Sequence, residues 1–441
     1  MTNENSKTKS NITIFSDKSV LKTEDGNEEI FLEGALSDEA KKRYLGIRKA
    51  LESGYFQNIV EESIKPEVVI GDIDEEHFNS LNNLVESVTS EVGRAIIGLT
   101  VMQLTLKSIN PEQSIRLHKG SNSSSSFSWK EGIPMRVLDK NFITPILRHY
   151  GLLKLNADGF MMTRTLAENY PYSKLYKAAI RGAKDDWLDI TEWVENGHLN
   201  PTDALKQFIA LLNNKSEEFE SEAKETLSLL TDYIKTNPSI TDIKTLISNF
   251  ITNSTYSARL FEIAIHSYFQ TLNDRKLLGY SLKPLSQMRS ANKKHGNIGD
   301  IELTEGEGTF NIIESWDAKY GKTYFRDELE ELNDKLASHP ESVLVGFISN
   351  GEPDMKEEIL KRIFEIKEIH NVDVMILSFK DWVEYQQGLY IEDNHSFLKQ
   401  WLQTFIECIC QKRRKLAPID EPTLDWVLEF KNLLKAQLNN S

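Results

Sequence analysis

Cysteine is nearly absent. The 441 residues contain two, Cys408 and Cys410, both inside the helical-looking run FLKQWLQTFIECICQKRRK. Side chains two apart on a helix point away from each other, so neither a disulfide nor a zinc site is expected of them. Long apolar runs are missing as well, and the opening MTNENSKTKSNITIFSDKS is polar, with no signal-peptide core. A soluble chain, made and kept in the cytoplasm, is the expectation. The sequence has no Gly-x-Ser-x-Gly elbow, no Walker A loop and no Gly-x-Gly-x-x-Gly leading into a helix, which disfavours serine hydrolases and nucleotide-driven motors. A surplus of positive charge is the last absence. The net charge of −15 repels polyanions, so any nucleic-acid contact must come from local clusters of basic residues.

What is present is an ordinary globular composition, 39% hydrophobic and 27% charged, in a chain too long for a single core. Charge and periodicity divide it into four segments. Residues 1–105 read as a helical region, with SVTSEVGRAIIGLTVMQLTLKSI spaced as a packed helix. Residues 106–185 are the basic part: between Lys107 and Lys184 there are about thirteen Lys or Arg against about five acids. Here NFITPILRHYGLL reads as a helix ending at Gly151, KLNADGFMMTRTL as a hairpin around Asp-Gly, and YSKLYKAAIRGA as a further helix. Helix followed by hairpin resembles a winged-helix module, which implies double-stranded DNA as partner and Arg148, Lys154 and Arg164 as phosphate contacts. Residues 186–253 read as an acidic helical connector. Residues 254–441 alternate helices (SARLFEIAIHSYFQTL, YFRDELEELNDKL, EEILKRIFEIKEIH) with strands (GDIEL, FNIIESWDAKY, SVLVGFIS, VDVMILSF). The expected fold is thus multidomain α+β: a mostly helical N-terminal half and a C-terminal α/β domain with a mixed sheet.

The chemistry-bearing residues lie on the first two of those strands. Asp300 stands in GNIGDIEL, and Asp317, Ala318 and Lys319 in the next strand. Strand residues two apart share a face, so Asp317 and Lys319 project together, and a hairpin-like pairing brings Asp300 beside them. Two carboxylates and an ammonium suit phosphodiester hydrolysis. The carboxylates hold Mg²⁺, and the lysine orients the attacking water or acts as base. The carbonyl of Ala318 is a further oxygen for the ion.

At these residues the chain resembles the PD-(D/E)xK nuclease superfamily, best known from type II restriction endonucleases, with Gly299 in the place of the family's proline. The resemblance implies an α/β nuclease core, a catalytic set of Asp300, Asp317 and Lys319, and Glu262, on the preceding helix, as an extra metal contact. It further implies a homodimer cutting both strands and a cognate DNA methyltransferase acting on the same site. The triplet recurs at Glu222-Ala223-Lys224 and Glu365-Ile366-Lys367, but both read as helical and neither follows an Asp-bearing strand. Glu302 shares the face of Asp300, whereas alternation turns Glu314 away from Asp317, which leaves these two an ancillary part at most. The polar loop containing Arg289, Lys293, Lys294, His295 and Asn297 is expected to grip substrate phosphates. Two other readings compete: a DNA-binding regulator with an inactive nuclease-like domain, and a repair or defence nuclease without strict sequence specificity.

Overall fold

The computed structural model describes residues 10–22, 27–68, 70–87, 91–123, 127–152, 159, 166, 168–180, 182–285, 297–309, 311–411 and 422–439. They form two compact units divided between Glu218 and Phe219.

The first unit opens with a feature the sequence reading missed. Residues 1–105 are not helical throughout, because β1 (Asn11–Ile14), β2 (Lys18–Lys22) and β3 (Glu28–Leu32) form an antiparallel sheet. Its inner face places Leu21 and Phe31 against Leu117 and Trp129 in a small core of their own. Helices α1 (Asp38–Glu52), α2 (Tyr55–Ser63), α3 (Glu75–Glu86) and α4 (Glu91–Ile109) follow. Ser37 caps α1 by accepting from the N–H of Ala40 at 3.0 Å, and Asp74 caps α3 by accepting from that of His77 at 2.8 Å.

The basic segment departs further from expectation. The supposed recognition helix is a short α5 (Met135–Leu138), a π turn (Asp139–Ile143) and the six-residue α6 (Thr144–His149). The following hairpin lies outside the described residues except for Gly159 and the buried Leu166. The described residues between Tyr172 and Ala183 are turn and coil, not helix. Tertiary contacts override local propensity there: Tyr172 and Tyr176 pack edge-on against Trp187, and buried Arg116 donates to the Tyr172 carbonyl at 3.0 Å. After it come α7 (Lys184–Glu195) and the 35-residue α8 (Pro201–Lys235).

The unit boundary falls within α8. The expected connector therefore belongs to two cores: Trp187, Phe208 and Leu212 to the first, Ala223, Leu230 and Tyr233 to the second. In the second unit, α9 (Ile240–Asn253) starts at a reciprocal capping box between Ser239 and Asp242, and α10 (Ser257–Asp274) is buried nearly all round, polar Arg259, His266, Ser267 and Thr271 included. A five-stranded sheet follows, in the order β4 (Ser281–Leu282), β5 (Ile301–Thr304), β6 (Ile312–Lys319), β7 (Leu344–Ser349), β8 (Asp373–Ser378). The pairings β4–β5 and β5–β6 are antiparallel, and β6–β7 and β7–β8 parallel, so the sheet is mixed. Helices α11 (Arg326–Leu336) and α12 (Glu357–His370) supply the crossovers. They pack with Val345, Phe347 and Ile376 on one sheet face. Trp316 and Ile348 lie on the opposite face, in the core shared by α10, α13 (Phe379–Tyr390), α14 (Asn394–Ile409) and α15 (Thr423–Asn439). Cys408 and Cys410 are buried thiols. Among the described residues, no helix is long and apolar enough to cross a membrane.

Trp316 fixes the packing of this second core, with Gly346 directly opposite it in the β6–β7 register. A Cβ on Gly346 would lie 2.1 Å from the indole ring. Gly346→Ala is therefore expected to cost about 1–3 kcal/mol through overpacking, read as a lower urea midpoint at unchanged slope. An unchanged midpoint would mean that the indole can move aside freely.

Candidate active site

The site forms where β5 begins and β6 ends. The antiparallel ladder pairs Ile301 with Trp316 and Glu302 with Ser315, and one step further that register sets Asp300 opposite Asp317. Close approach makes this possible. A Cβ at Gly299 would stand 2.6 Å from Ser315 Oγ and 2.9 Å from the Trp316 carbonyl oxygen, so the position taken by proline in the resembled family has no room here for a side chain.

Glu302, placed on the same strand, braces the turn. Its Oε1 accepts from the Ile298 N–H at 2.7 Å and its Oε2 from Lys283 Nζ at 2.8 Å, and Lys335 Nζ donates to the Ile298 carbonyl at 3.1 Å. Glu314 faces the other way, as alternation requires, and accepts from Trp316 Nε1 at 2.6 Å. Burial pushes its carboxyl up, a shift that the indole bond opposes.

Asp300 Oδ2 accepts from the Ala318 N–H at 3.1 Å, and Lys319 Nζ pairs with Asp317 Oδ2 at 2.8 Å. The Asp317 side chain is 7% exposed and that of Lys319 is 29% exposed, so the lysine is the member of this pair open to a substrate. Burial pushes the Asp300 carboxyl up, helped by the Glu262 charge and opposed by Asp317, Lys319 and the Ala318 N–H. Asp317 goes further, to about 8, because burial is joined by the adjacent Asp300 and only partly offset by Lys319. Burial pulls Lys319 down, but Asp317, Asp300 and Glu328 outweigh it and hold the ammonium above its ordinary range. A lysine so held stays charged. Of the two roles expected of it, orienting water and stabilising negative charge fit this state, and accepting a proton does not.

Asp317 Oδ1 is buried and receives no hydrogen bond from an N–H or a hydroxyl group, its hydrogen-bonding neighbour being the Asp300 carboxyl. Its carboxyl lies against that of Asp300, and what two acceptor groups can share is a proton or a cation. This spare oxygen and the hard-oxygen donor set fit Mg²⁺, with Asp300 and Asp317 as protein ligands. Glu262, the expected extra metal contact, stands near enough to act on the pair. It is ion-paired with buried Arg259 and reaches Asp300 through its charge. Among the described residues, no set of three or more His, Cys, Asp or Glu gathers around one point.

Glu328 and Lys322 were not anticipated. They form an ion pair beside the site, and Glu328, in the first turn of α11, lines with Asp317, Lys319 and Lys335 a cavity of about 10 Å³. Helical phase carried a usable signal. With Leu329, Leu332 and Leu336 buried, Glu328, Glu331 and Lys335 fall on the adjoining flank towards the strands.

Of the expected DNA contacts only Arg148 lies among the described residues. Arg289, Lys293, Lys294 and His295 lie outside them, as do Lys154 and Arg164. Arg148 is half-buried on α6, in the first unit. The basic surplus of that unit is partly consumed inside it. Lys107 pairs with Glu195 at 2.7 Å, Arg116 with Glu192 at 2.8 Å, Lys174 with Asp189, and Lys184 donates to the carbonyls of Tyr176 and Ala178. Both decoy triplets are helical, in α8 and α12. No protein-family model matches the chain, and a search of curated proteins finds none similar to it.

The Asp317 shift has a consequence for stability. Above pH 3.8 the unfolded chain releases the proton that the folded chain keeps up to about pH 8. The folded state then binds more protons than the unfolded one, so stability falls as pH rises across that window, by at most about 1.4 kcal/mol per pH unit. In EDTA, urea midpoints should decline from acid to mildly alkaline pH. Asp317→Asn should flatten the decline and exceed the wild type most at the alkaline end. Parallel profiles for the two proteins would show that the carboxyl is ionised throughout.

Proposed function

We propose that the chain is a Mg²⁺-dependent endodeoxyribonuclease of the PD-(D/E)xK kind, a type II-like restriction endonuclease that hydrolyses phosphodiester bonds of double-stranded DNA. The observation that carries this reading is the buried Asp300–Asp317 pair, with an oxygen left undonated beside a charged, accessible Lys319. The strand order supports it, since an antiparallel pair bearing the acids runs into parallel strands through the crossover α11.

Bound Mg²⁺ would polarise the scissile phosphate and acidify a water for attack. The chain's own contribution is positional. The Ala318 N–H fixes one oxygen of Asp300, and the Lys319 ammonium fixes one of Asp317. That leaves the remaining oxygens for the ion. From the same place Lys319 can donate to a phosphate oxygen or to the attacking water, holding charge that develops in the transition state. Glu302 keeps the Ile298–Asp300 turn in place without touching substrate. Recognition is assigned to the basic segment of the first unit, through those of its cations that are not spent on internal pairs. A homodimer and a methyltransferase protecting the same sequence belong to this reading.

Purified protein incubated with phage DNA and Mg²⁺ should give discrete bands. EDTA should abolish them, and Ca²⁺ should allow binding without cleavage, because Ca²⁺ takes the same oxygens with looser geometry. Asp300→Asn and Lys319→Ala should each lower the rate about 10²-fold or more while leaving folding and DNA binding in place. Lys224→Ala, exposed in the helical decoy, should cut normally. A smear instead of bands would favour the nuclease without sequence specificity. No cleavage with any metal, or wild-type rates in both site variants, would remove the assignment, the first in favour of the DNA-binding regulator.

Replacing Arg148, Lys154 and Arg164 together by Ala should weaken binding and flatten its dependence on salt, since fewer counterions are released for each lost phosphate contact. An unchanged salt slope would make this segment ordinary solvated surface.

A further inference from the structure

We propose that a cavity of about 510 Å³ in the second unit binds a phosphate group. Arg275, which closes α10, lines it together with Asp393, His395, Ser396, Lys399 and Gln400 from the head of α14. What sets the cluster apart is the kind of partner its cations have. Elsewhere in this unit partly buried cations answer to acids, as Lys283 does to Glu302, Lys319 to Asp317 and Arg362 to Glu330. Here the partners are neutral. Arg275 Nε donates to Gln400 Oε1 at 2.6 Å and its Nη2 to Ser396 Oγ at 2.9 Å, with the guanidinium 5.3 Å from the centre of the Phe397 ring. Lys399 Nζ donates to Asn237 Oδ1, and His395 Nε2 meets the Pro238 carbonyl at 2.7 Å. Among the described residues, neither Arg275 nor Lys399 forms an ion pair with a carboxylate.

Bonds of this kind fix the direction of a positive charge without neutralising it. Asp393 is the one acid among the described lining residues, and its Oδ1 is taken by the Ser396 N–H at 3.1 Å. The helix end is thereby capped already, so the attraction for an anion comes from the side chains. In a chain of net charge −15, two cations held in place without a counter-charge of their own mark a site for an external one. Gln400 and Ser396 take the Nε edge of the guanidinium, which leaves its Nη1 end for paired bonds to the oxygens of one phosphate, and Lys399 keeps further N–H groups for another. The cavity is larger than a phosphate ion needs and has the size of a small-ligand pocket. Its polar lining suits a hydrophilic body attached to the phosphate, whether a phosphorylated small molecule or a stretch of DNA backbone. Glu262, beside the acidic pair, stands thirteen residues before Arg275, about 20 Å along α10. A phosphate bound here is therefore not the one proposed for hydrolysis.

This inference does not depend on the nuclease chemistry, and its test reads binding alone. Calorimetric titration of the full chain in EDTA should detect thymidine monophosphate and, more weakly, inorganic phosphate. Lys399→Gln, a change at a partly exposed position, should keep the circular dichroism spectrum and weaken thymidine monophosphate about tenfold, the loss of one charge-assisted bond. Asp393→Asn retains an oxygen for the cap and removes the nearby negative charge, so it should tighten the same ligand about twofold or more. Loss in one variant and gain in the other distinguish an anion site from a merely structural role of Lys399. A short DNA duplex added as competitor separates the two sources. If the backbone is the ligand, the duplex displaces thymidine monophosphate, and Lys399→Gln lowers the salt slope of DNA binding by about one. Retention of the nucleotide against duplex identifies a phosphorylated small molecule. No binding of either probe at millimolar concentration, or binding that is the same in both variants as in the wild type, would overturn the proposal.

Discussion

Everything at the candidate site depends on the register between β5 and β6. A side chain on a strand has only two directions, so a slip of one residue would turn Asp317 and Lys319 to the face now occupied by Trp316 and carry the indole into the cavity beside α11. Trp316 prevents this. It fills the space above Gly346 so closely that no side chain fits there, which ties the phase of β6 to β7 from the opposite face. Gly299 contributes from the β5 side, because only a residue without a Cβ can come so near Ser315 and the backbone of Trp316. One aromatic side chain and two glycines thus set where a pair of carboxylates must stand.

Bringing those carboxylates together is unfavourable in itself. Both are buried and lie against each other, and burial pushes both upward, with the Glu262 charge adding to the shift of Asp300 and Asp300 adding to that of Asp317. The arrangement persists because the surroundings over-determine it. The Ala318 N–H holds Asp300, Lys319 holds Asp317, and Glu302 with Lys283 and Lys335 fixes the approach to Asp300. None of these contacts satisfies Asp317 Oδ1. A polar group left unserved at the centre of a well-braced cluster is the mark of a site built for something other than stability.

How much of this was legible in the sequence follows the range of the interactions involved. Period-two alternation is local, so the shared face of Asp317 and Lys319 and the opposite orientation of Glu314 could be read directly, and so could the hairpin that brings Asp300 across. The helices with strong apolar spacing, α10, α11 and α12, were equally plain. The small sheet β1–β3 was obscured by its polar setting, since it gives a core little more than Leu21, Phe31 and the half-buried Ile12, and that core is completed by Leu117 and Trp129 far along the chain. The stretch from Tyr172 misled for a related reason. Its helical composition is overridden by aromatic packing on Trp187 and by the guanidinium of Arg116, neither of which a window of a dozen residues contains. Glu328 escaped because acids in a first helical turn are ordinary. Only the packing of α11 over the strands brings this one beside Lys319.

Net composition overstates how many cations a segment leaves open at its surface. A basic segment in an acidic chain reads as a phosphate-binding surface, yet Lys107 and Arg116 are buried in ion pairs, and Lys184 is turned onto backbone carbonyls. A buried pair of this kind is worth little to stability in net terms, but losing one partner strands the other's charge, so these cations are committed to the fold. With a net charge of −15 and part of its basic residues spent internally, the chain exerts little long-range attraction on a polyanion. If it acts on DNA as proposed, affinity must arise at contact distance, from the few cations left at the surface. On that account the buried acids serve the chemistry and not the attachment to DNA, which rests on those cations.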